Sequence, residues 1–185
     1  MKRWIMGALA VLAPLSAWAT EPGLEALQTP SRTLMLIEPE TVDRSVPDAG
    51  AVSDCGGTTW LTDAGKAKAR RIGQRLRAAG LDKAPVFTSP SCAAVEAGID
   101  LGLGKVSIQP LLQDLLKTPL TRSRQRQEFG LFLADYYGGP PFVLITHRNN
   151  VLDLSELYLA PGDGIILAID LNGDVPSVLG SARFR

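Results

Sequence analysis

The chain has 185 residues, the length of one domain, and its 45% hydrophobic and 21% charged residues are the balance of a globular protein. Nineteen basic residues are matched by 19 acidic ones, so the formal net charge is zero. A neutral chain has no overall basic field to attract nucleic acid or an anionic membrane surface, and we expect neither as a partner.

The first 19 residues have the pattern of a secretory signal peptide. Lys2 and Arg3 precede the apolar stretch WIMGALAVLAPL, and Ala17 and Ala19 supply the small residues that a signal peptidase reads. The apolar run is shorter than the roughly 20 residues that span a bilayer, which disfavours the alternative of an uncleaved anchor helix. We therefore expect cleavage after Ala19, a periplasmic or secreted protein, and no transmembrane segment in the mature chain.

The first predicted strand lies just after a short leader. Residues 20–32 contain two prolines and no hydrophobic period, and they predict an extended leader onto a single domain over 33–185. The apolar run that starts this domain predicts a strand over 33–38, buried on both faces. Pro39 ends it, because proline has no N–H for a strand ladder. Glycines and prolines over 39–61 predict a loop.

Helices and buried strands alternate after this loop. Thr62 is suited to cap a helix whose apolar residues recur with helical spacing at Ala69, Ile72, Leu76 and Ala79. The same patterns predict strands at 84–89, 105–110 and 142–146, a helix with Pro90 in its first turn, another over 121–137, and a short one that follows residues 147–150 and runs through Leu157.

The C-terminal region predicts a β-hairpin. Asn172-Gly173 lies between two apolar runs and suits a type I′ turn, and Pro176 places the second strand at a sheet edge. Strands alternating with helices predict an α/β fold, a three-layer sandwich with a mostly parallel central sheet and the hairpin at its edge. Ligands of such sheets bind beyond the carboxyl ends of the strands. Glu38 and His147, the only histidine of the chain, stand at two of these ends.

The chain has two cysteines, Cys55 and Cys92. In an exported protein an even number of cysteines indicates a disulfide, and two unpaired thiols are the alternative. We expect the disulfide, which would stabilise the fold by about 3–4 kcal/mol in the chain-entropy model.

The order of these segments resembles the histidine phosphatase superfamily, also called phosphoglycerate mutase-like. It is most similar to the secreted branch related to lipopolysaccharide-core heptose phosphatases. The likeness extends over about residues 33–170 and depends on four stretches: LMLIEPET, LTDAGKAKARRIGQRLRAAG, VFTSPSCAAVEAG and FVLITHRNNV. A fifth stretch, APGDGIILAI, follows them and supports it. The resemblance implies a histidine phosphatase-like domain.

The resemblance also implies a phosphate pocket at the first strand. There the family has a histidine that attacks phosphorus, with arginines and a second histidine that hold the phosphoryl oxygens. In this chain Ile37 and Glu38 stand at the positions of the first arginine and of the nucleophile. Thr59 and Ala93 stand near two further arginine positions, and His147 keeps the place of the second histidine.

A carboxylate in such a pocket disfavours phosphate. Two unit negative charges about 4 Å apart repel by roughly 4 kcal/mol at an effective dielectric constant near 20. We therefore interpret the chain as a catalytically inactive member of the fold, a pseudophosphatase that binds an envelope ligand or a partner protein. The alternative is an active periplasmic phosphomonoesterase or hydrolase on an envelope phosphosugar, with His147 and Glu38 as its catalytic residues.

The pocket predicted in this way is centred on a contact between Glu38 and His147. The residues expected to line it around that pair are Ile37, Glu40, Thr59, Ala93 and Arg148. Glu38, Glu40 and Asp54 form a weaker alternative, an acidic site for a hard cation such as calcium. Their spacing matches no metal motif, so we expect neither a metal nor a cofactor.

Overall fold

The computed structural model describes residues 23–43, 55, 57–117 and 120–185. The predicted signal peptide over 1–19 and Asp54 of the possible acidic site lie outside the described residues. Within the expected leader, Leu24–Gln28 forms a 3-10 turn, and Leu27 is fully buried. This part of the leader is therefore helical and packed, because Leu27 supplies an apolar side chain to the core.

The described strands and helices follow the predicted order. The strands are β1 (Arg32–Ile37), β2 (Thr41–Asp43), β3 (Thr59–Leu61), β4 (Val86–Thr88), β5 (Val106–Ile108), β6 (Phe142–Thr146), β7 (Gly164–Ala168) and β8 (Ser177–Ala182). The helices are α1 (Asp63–Ala78), α2 (Cys92–Leu101), α3 (Arg122–Ala134) and α4 (Arg148–Ser155).

Six of these strands form the central sheet, in the order β5-β4-β6-β1-β7-β8. The pairs β4–β5, β4–β6 and β1–β6 are parallel, whereas β7 runs antiparallel to both β1 and β8. The mostly parallel sheet and the C-terminal hairpin at its edge are therefore confirmed.

Alternate residues of β1 show how the sheet is covered on both faces. Leu34 and Leu36 join a core cluster with apolar residues of α1 and α2, such as Ile72. Met35 and Ile37 point to the other face and join a cluster with residues of α3 and α4. This alternation is the period of two of a strand, and it confirms the three-layer sandwich.

The stretch over 39–61 differs from the predicted loop. β2 and β3 form a separate two-stranded antiparallel sheet in which Val42 pairs with Trp60. Each of these strands has only three residues, which is too short to show an alternating pattern in the sequence.

The type I′ turn predicted for the hairpin is wrong. A type I′ turn needs positive φ at both central residues, but of the pair only Gly173 has it, at +78°. The backbone N–H of Asn172 donates instead to the side chain of Asp170. A Cβ on Gly130 of α3 would overlap the carbonyl oxygen of Gly173, so this longer loop packs closely against α3.

Candidate functional site

The site lies where β1, β4 and β6 end at one edge of the sheet. The last β1–β6 pair joins Ile37 to Thr146, and the backbone N–H of Glu38 donates to the Thr146 carbonyl at 2.9 Å. The two parallel strands thus remain joined one residue beyond the ladder. Glu38 and His147, the residues that follow them, are held side by side as a consequence.

The side chains of Glu38 and His147 are in contact. His147 Nδ1 lies 3.0 Å from Glu38 Oε1, and each side chain is 14% exposed. The contact expected from the sequence is present. Nε2 of His147 has no hydrogen-bond partner among the described residues.

Ser91 provides the third side chain of the cluster. It follows β4 and caps α2, where its Oγ accepts a hydrogen bond from the Ala94 N–H at 3.2 Å. The same hydroxyl donates to Glu38 Oε2 at 3.0 Å, so both carboxylate oxygens of Glu38 have partners. Sequence reasoning missed Ser91, although a serine just before an apolar helical segment is an ordinary capping signal.

A cleft of about 540 Å³ opens at this edge of the sheet. Clefts that bind small molecules have volumes of about 300–1,000 Å³. Its charged and titratable lining residues are Glu38, Asp114, Lys117 and His147, and none of the described residues that line it is an arginine. Two carboxylates therefore face the cleft with one ammonium group.

The loop before α3 contributes Asp114 and Lys117 to the cleft. Asp114 Oδ1 accepts hydrogen bonds from the backbone N–H of Leu116, at 3.1 Å, and from Asn149 Nδ2, at 2.9 Å. These bonds connect the loop to α4, which begins directly after His147. Neither residue has a recognisable signal in the sequence, because the loop has no periodicity.

Among the residues expected to line the pocket, Thr59 does line the cleft. Ile37 is 3% exposed and belongs to the core on the α3 and α4 side of the sheet. Ala93 is fully buried in the core on the opposite side. Both side chains therefore contribute to packing of the sheet.

The other two expected residues, Glu40 and Arg148, make contacts elsewhere. The Glu40 carboxylate lies 3.5 Å from Lys68 Nζ, and the Arg148 guanidinium lies over the Tyr158 ring, 4.7 Å from its centroid. The Glu40 backbone nevertheless fixes the chain that leaves β1. Its carbonyl oxygen accepts from both the backbone N–H and the hydroxyl of Thr62, at 2.9 and 3.2 Å.

Cys55 and Cys92 form a disulfide, as predicted, with their Cα atoms 4.9 Å apart. Cys92 is the first residue of α2 and directly follows Ser91, which caps that helix. Cys55 lies two residues before Gly57, which lines the cleft. The bridge therefore attaches one wall of the cleft to the start of α2.

Two further properties concern only the described part of the chain. Within it, no group of three or more His, Cys, Asp or Glu side chains is arranged to hold a metal ion. None of its helices has both the length and the apolar character needed to cross a membrane.

Comparison with known proteins identifies the fold. Neither a family model nor a curated protein matches the sequence. Among solved structures, the chain is similar to the protein histidine phosphatase SixA complexed with tungstate, at 14% identity over 81% of this chain and 95% of that one, with a TM-score of 0.55. It is also similar to phosphoserine phosphatase from Entamoeba histolytica in complex with 3-phosphoglyceric acid, at 12% identity over 81% and 95% of the two chains, with a TM-score of 0.54. A third similar structure is mycobacterial hydrolase 1, at 16% identity over 80% and 96%, with a TM-score of 0.52.

The protein has the histidine phosphatase fold. Sequence identities of 12–16% define the fold alone. The function of this chain has to be inferred from its own side chains, because one fold supports many activities.

Proposed function

We propose that this protein is an exported histidine phosphatase-fold protein that binds an envelope ligand in its cleft and does not transfer phosphoryl groups. One observation supports this most directly. Glu38 stands directly after β1, with its two carboxylate oxygens engaged by His147 and Ser91.

The first reason concerns the nucleophile. The resemblance implies a histidine that attacks phosphorus at the position of Glu38. A glutamate oxygen that already accepts a hydrogen bond is a poorer nucleophile, and here both oxygens accept or contact a partner. Loss of the attacking residue in a hydrolase can lower the rate by a factor on the order of 10⁶.

The second reason concerns the charge of the cleft. A phosphate about 4 Å from the Glu38 carboxylate would be repelled by roughly 4 kcal/mol at an effective dielectric constant near 20, which is about a thousandfold in affinity. Lys117 lines the cleft, but one ammonium group does not replace an arginine clamp that contacts phosphoryl oxygens in pairs. A neutral or cationic ligand avoids this repulsion.

Export is supported by two features. The N-terminal sequence has basic, apolar and small-residue segments in the order typical of a signal peptide. The chain also has a disulfide, and disulfides persist in oxidising compartments. Expression of the full chain in a bacterium with a Sec pathway, followed by mass spectrometry of the recovered protein, tests this part. We expect a mature N-terminus at Thr20.

The absence of phosphoryl transfer is tested with the purified mature chain. We expect no hydrolysis of p-nitrophenyl phosphate above the buffer rate and no saturable binding of vanadate, a phosphate mimic. Turnover that disappears in the His147→Ala variant would overturn the proposal. Arg148→Ala is the matched control, because Arg148 is next in the chain but contacts Tyr158 outside the described lining of the cleft.

A second candidate function is favoured by one contact. His147 has a carboxylate at Nδ1 and, among the described residues, no partner at Nε2, which is the arrangement that orients a general base in hydrolases. Hydrolysis of a phosphate or carboxylate ester by the wild-type chain, lost in both His147→Ala and Glu38→Gln, would favour this hydrolase over the binding protein.

A further inference from the structure

We propose that Ser91 is a positioning residue which, through Glu38, holds His147 as the neutral tautomer with its proton on Nδ1. The lone pair of Nε2, which has no partner among the described residues, then selects a ligand group that donates a hydrogen bond, such as a hydroxyl or an amine. This inference deepens the proposed function and depends on it for the identity of the ligand group.

The first step fixes the hydrogen of Ser91. Its Oγ already accepts from the Ala94 N–H, because Ser91 caps α2. A hydroxyl has one hydrogen, and the Oε2 atom of Glu38 lies 3.0 Å away. An ionised carboxylate only accepts hydrogen bonds, so the hydroxyl hydrogen points to Glu38.

The second step concerns the orientation of the Glu38 carboxylate. The Ser91 hydroxyl holds Oε2, and Oε1 lies 3.0 Å from Nδ1 of His147. Ser91 therefore opposes rotation of the carboxylate and keeps Oε1 directed at the histidine.

The third step fixes the proton of the histidine. The Oε1 atom of Glu38 accepts, so Nδ1 of His147, 3.0 Å away, must be the donor. In a neutral imidazole only one nitrogen carries a proton, and the other is an acceptor. Nε2, which has no partner among the described residues, is then the acceptor.

This site therefore prefers a ligand group that donates a hydrogen bond, whereas a phosphate pocket binds a group that accepts hydrogen bonds. The dianion of a phosphate monoester presents only acceptors to Nε2 and would find no proton there. A hydroxyl or an amine supplies the missing hydrogen and is not repelled by Glu38. Ser91, which does not need to touch the ligand, thereby sets its chemistry.

The experiment is ¹⁵N NMR of the uniformly labelled mature protein at pH 8, with long-range correlation from the ring protons. His147 is the only histidine of the chain, so its two ring nitrogens are assigned without ambiguity. We expect a protonated Nδ1 and an unprotonated Nε2. A proton on Nε2, in either the other neutral tautomer or the imidazolium, would overturn the inference.

Variants separate positioning from folding. Ser91→Ala should give a mixture of the two neutral tautomers, and Ser91→Thr, which keeps a capping hydroxyl, should restore the wild-type signals. Thr121→Ala is the matched control, because its hydroxyl caps α3 but does not line the cleft, and it should leave the signals unchanged. Wild-type signals in Ser91→Ala would contradict a role for this serine.

Phenyl phosphate, whose dianion has no O–H group, probes the preference of the site. Addition of millimolar phenyl phosphate at pH 8 should leave the Nε2 resonance unchanged, and a saturable shift would overturn the predicted preference. Failure of the proposed function is detected separately, through ester turnover, since a hydrolase could hold the same tautomer.

Discussion

The disulfide should supply a large share of the stability of this protein. Its two cysteines are separated by 37 residues. A crosslink that closes a loop of this length lowers the entropy of the unfolded chain, which amounts to about 4 kcal/mol at 25 °C. Domains of this kind are usually stable by only about 5–15 kcal/mol, so the double variant Cys55→Ala/Cys92→Ala should be strongly destabilised.

The variant should also loosen the cleft. The bridge joins the segment before Gly57 to the start of α2, next to Ser91. Without it, the wall that contains Gly57 and Thr59 keeps the β2–β3 pairing and the hydrogen bond from the Leu61 N–H of β3 to Glu96 of α2, but loses its covalent link to α2. We therefore expect the His147 NMR signals to broaden in the variant even where the fold persists.

Denaturant unfolding measures the size of the effect. The free energies of unfolding of the oxidised wild type, the reduced wild type and the double variant are compared under identical conditions. The two forms without the bridge should agree and lie about 4 kcal/mol below the oxidised protein. A loss smaller than about 1 kcal/mol would refute the reasoning. Residual structure in the unfolded chain lowers the entropy of loop closure, but even then a larger part of the expected effect should remain.

Four further variants test contacts around the sheet. Gly65→Ala would place a Cβ onto the carbonyl oxygen of Glu40, so we expect a loss of about 1–3 kcal/mol in denaturant unfolding despite the helix propensity of alanine; a gain in stability would contradict the close packing. Arg126→Met removes one of two arginines from the buried Asp153 carboxylate and should lower the free energy of unfolding by about 2–3 kcal/mol. Arg122→Met, at a side chain that is 62% exposed, should lower it by less than about 1 kcal/mol. Equal losses would show that the two ion pairs are equivalent. Thr62→Ala should lower the melting temperature through loss of the α1 cap, worth about 1 kcal/mol, and no change would mean that the cap is redundant.

The sequence predicted the central sheet because its strands are buried on both faces. FVLIT and TLMLI are continuous apolar runs of strand length, and such runs are typical of a parallel sheet covered by helices. The same reasoning places Glu38 and His147 at the carboxyl ends of two strands, and the family resemblance predicts that they lie close together. Their contact required only that the two strands be neighbours, and β1 and β6 are neighbours.

Other parts of the site had no sequence signal. Asp114 and Lys117 lie in a loop whose position depends on hydrogen bonds to Asn149, far along the chain. Ile37 and Ala93 were assigned to the pocket from the resemblance alone. Their apolar side chains pack in the core, where burial stabilises them, rather than lining the cleft.

The hydrogen bond from the Glu38 backbone to Thr146 has an implication for engineering. Because main-chain atoms hold positions 38 and 147 next to each other, substitution of the side chains at these positions leaves the hydrogen bond between the two strand ends in place. A library that varies both positions together would sample acid, base, thiol and amide pairs at a constant spacing. The fold thus provides two adjacent positions at which the reactivity of different side-chain pairs could be compared directly.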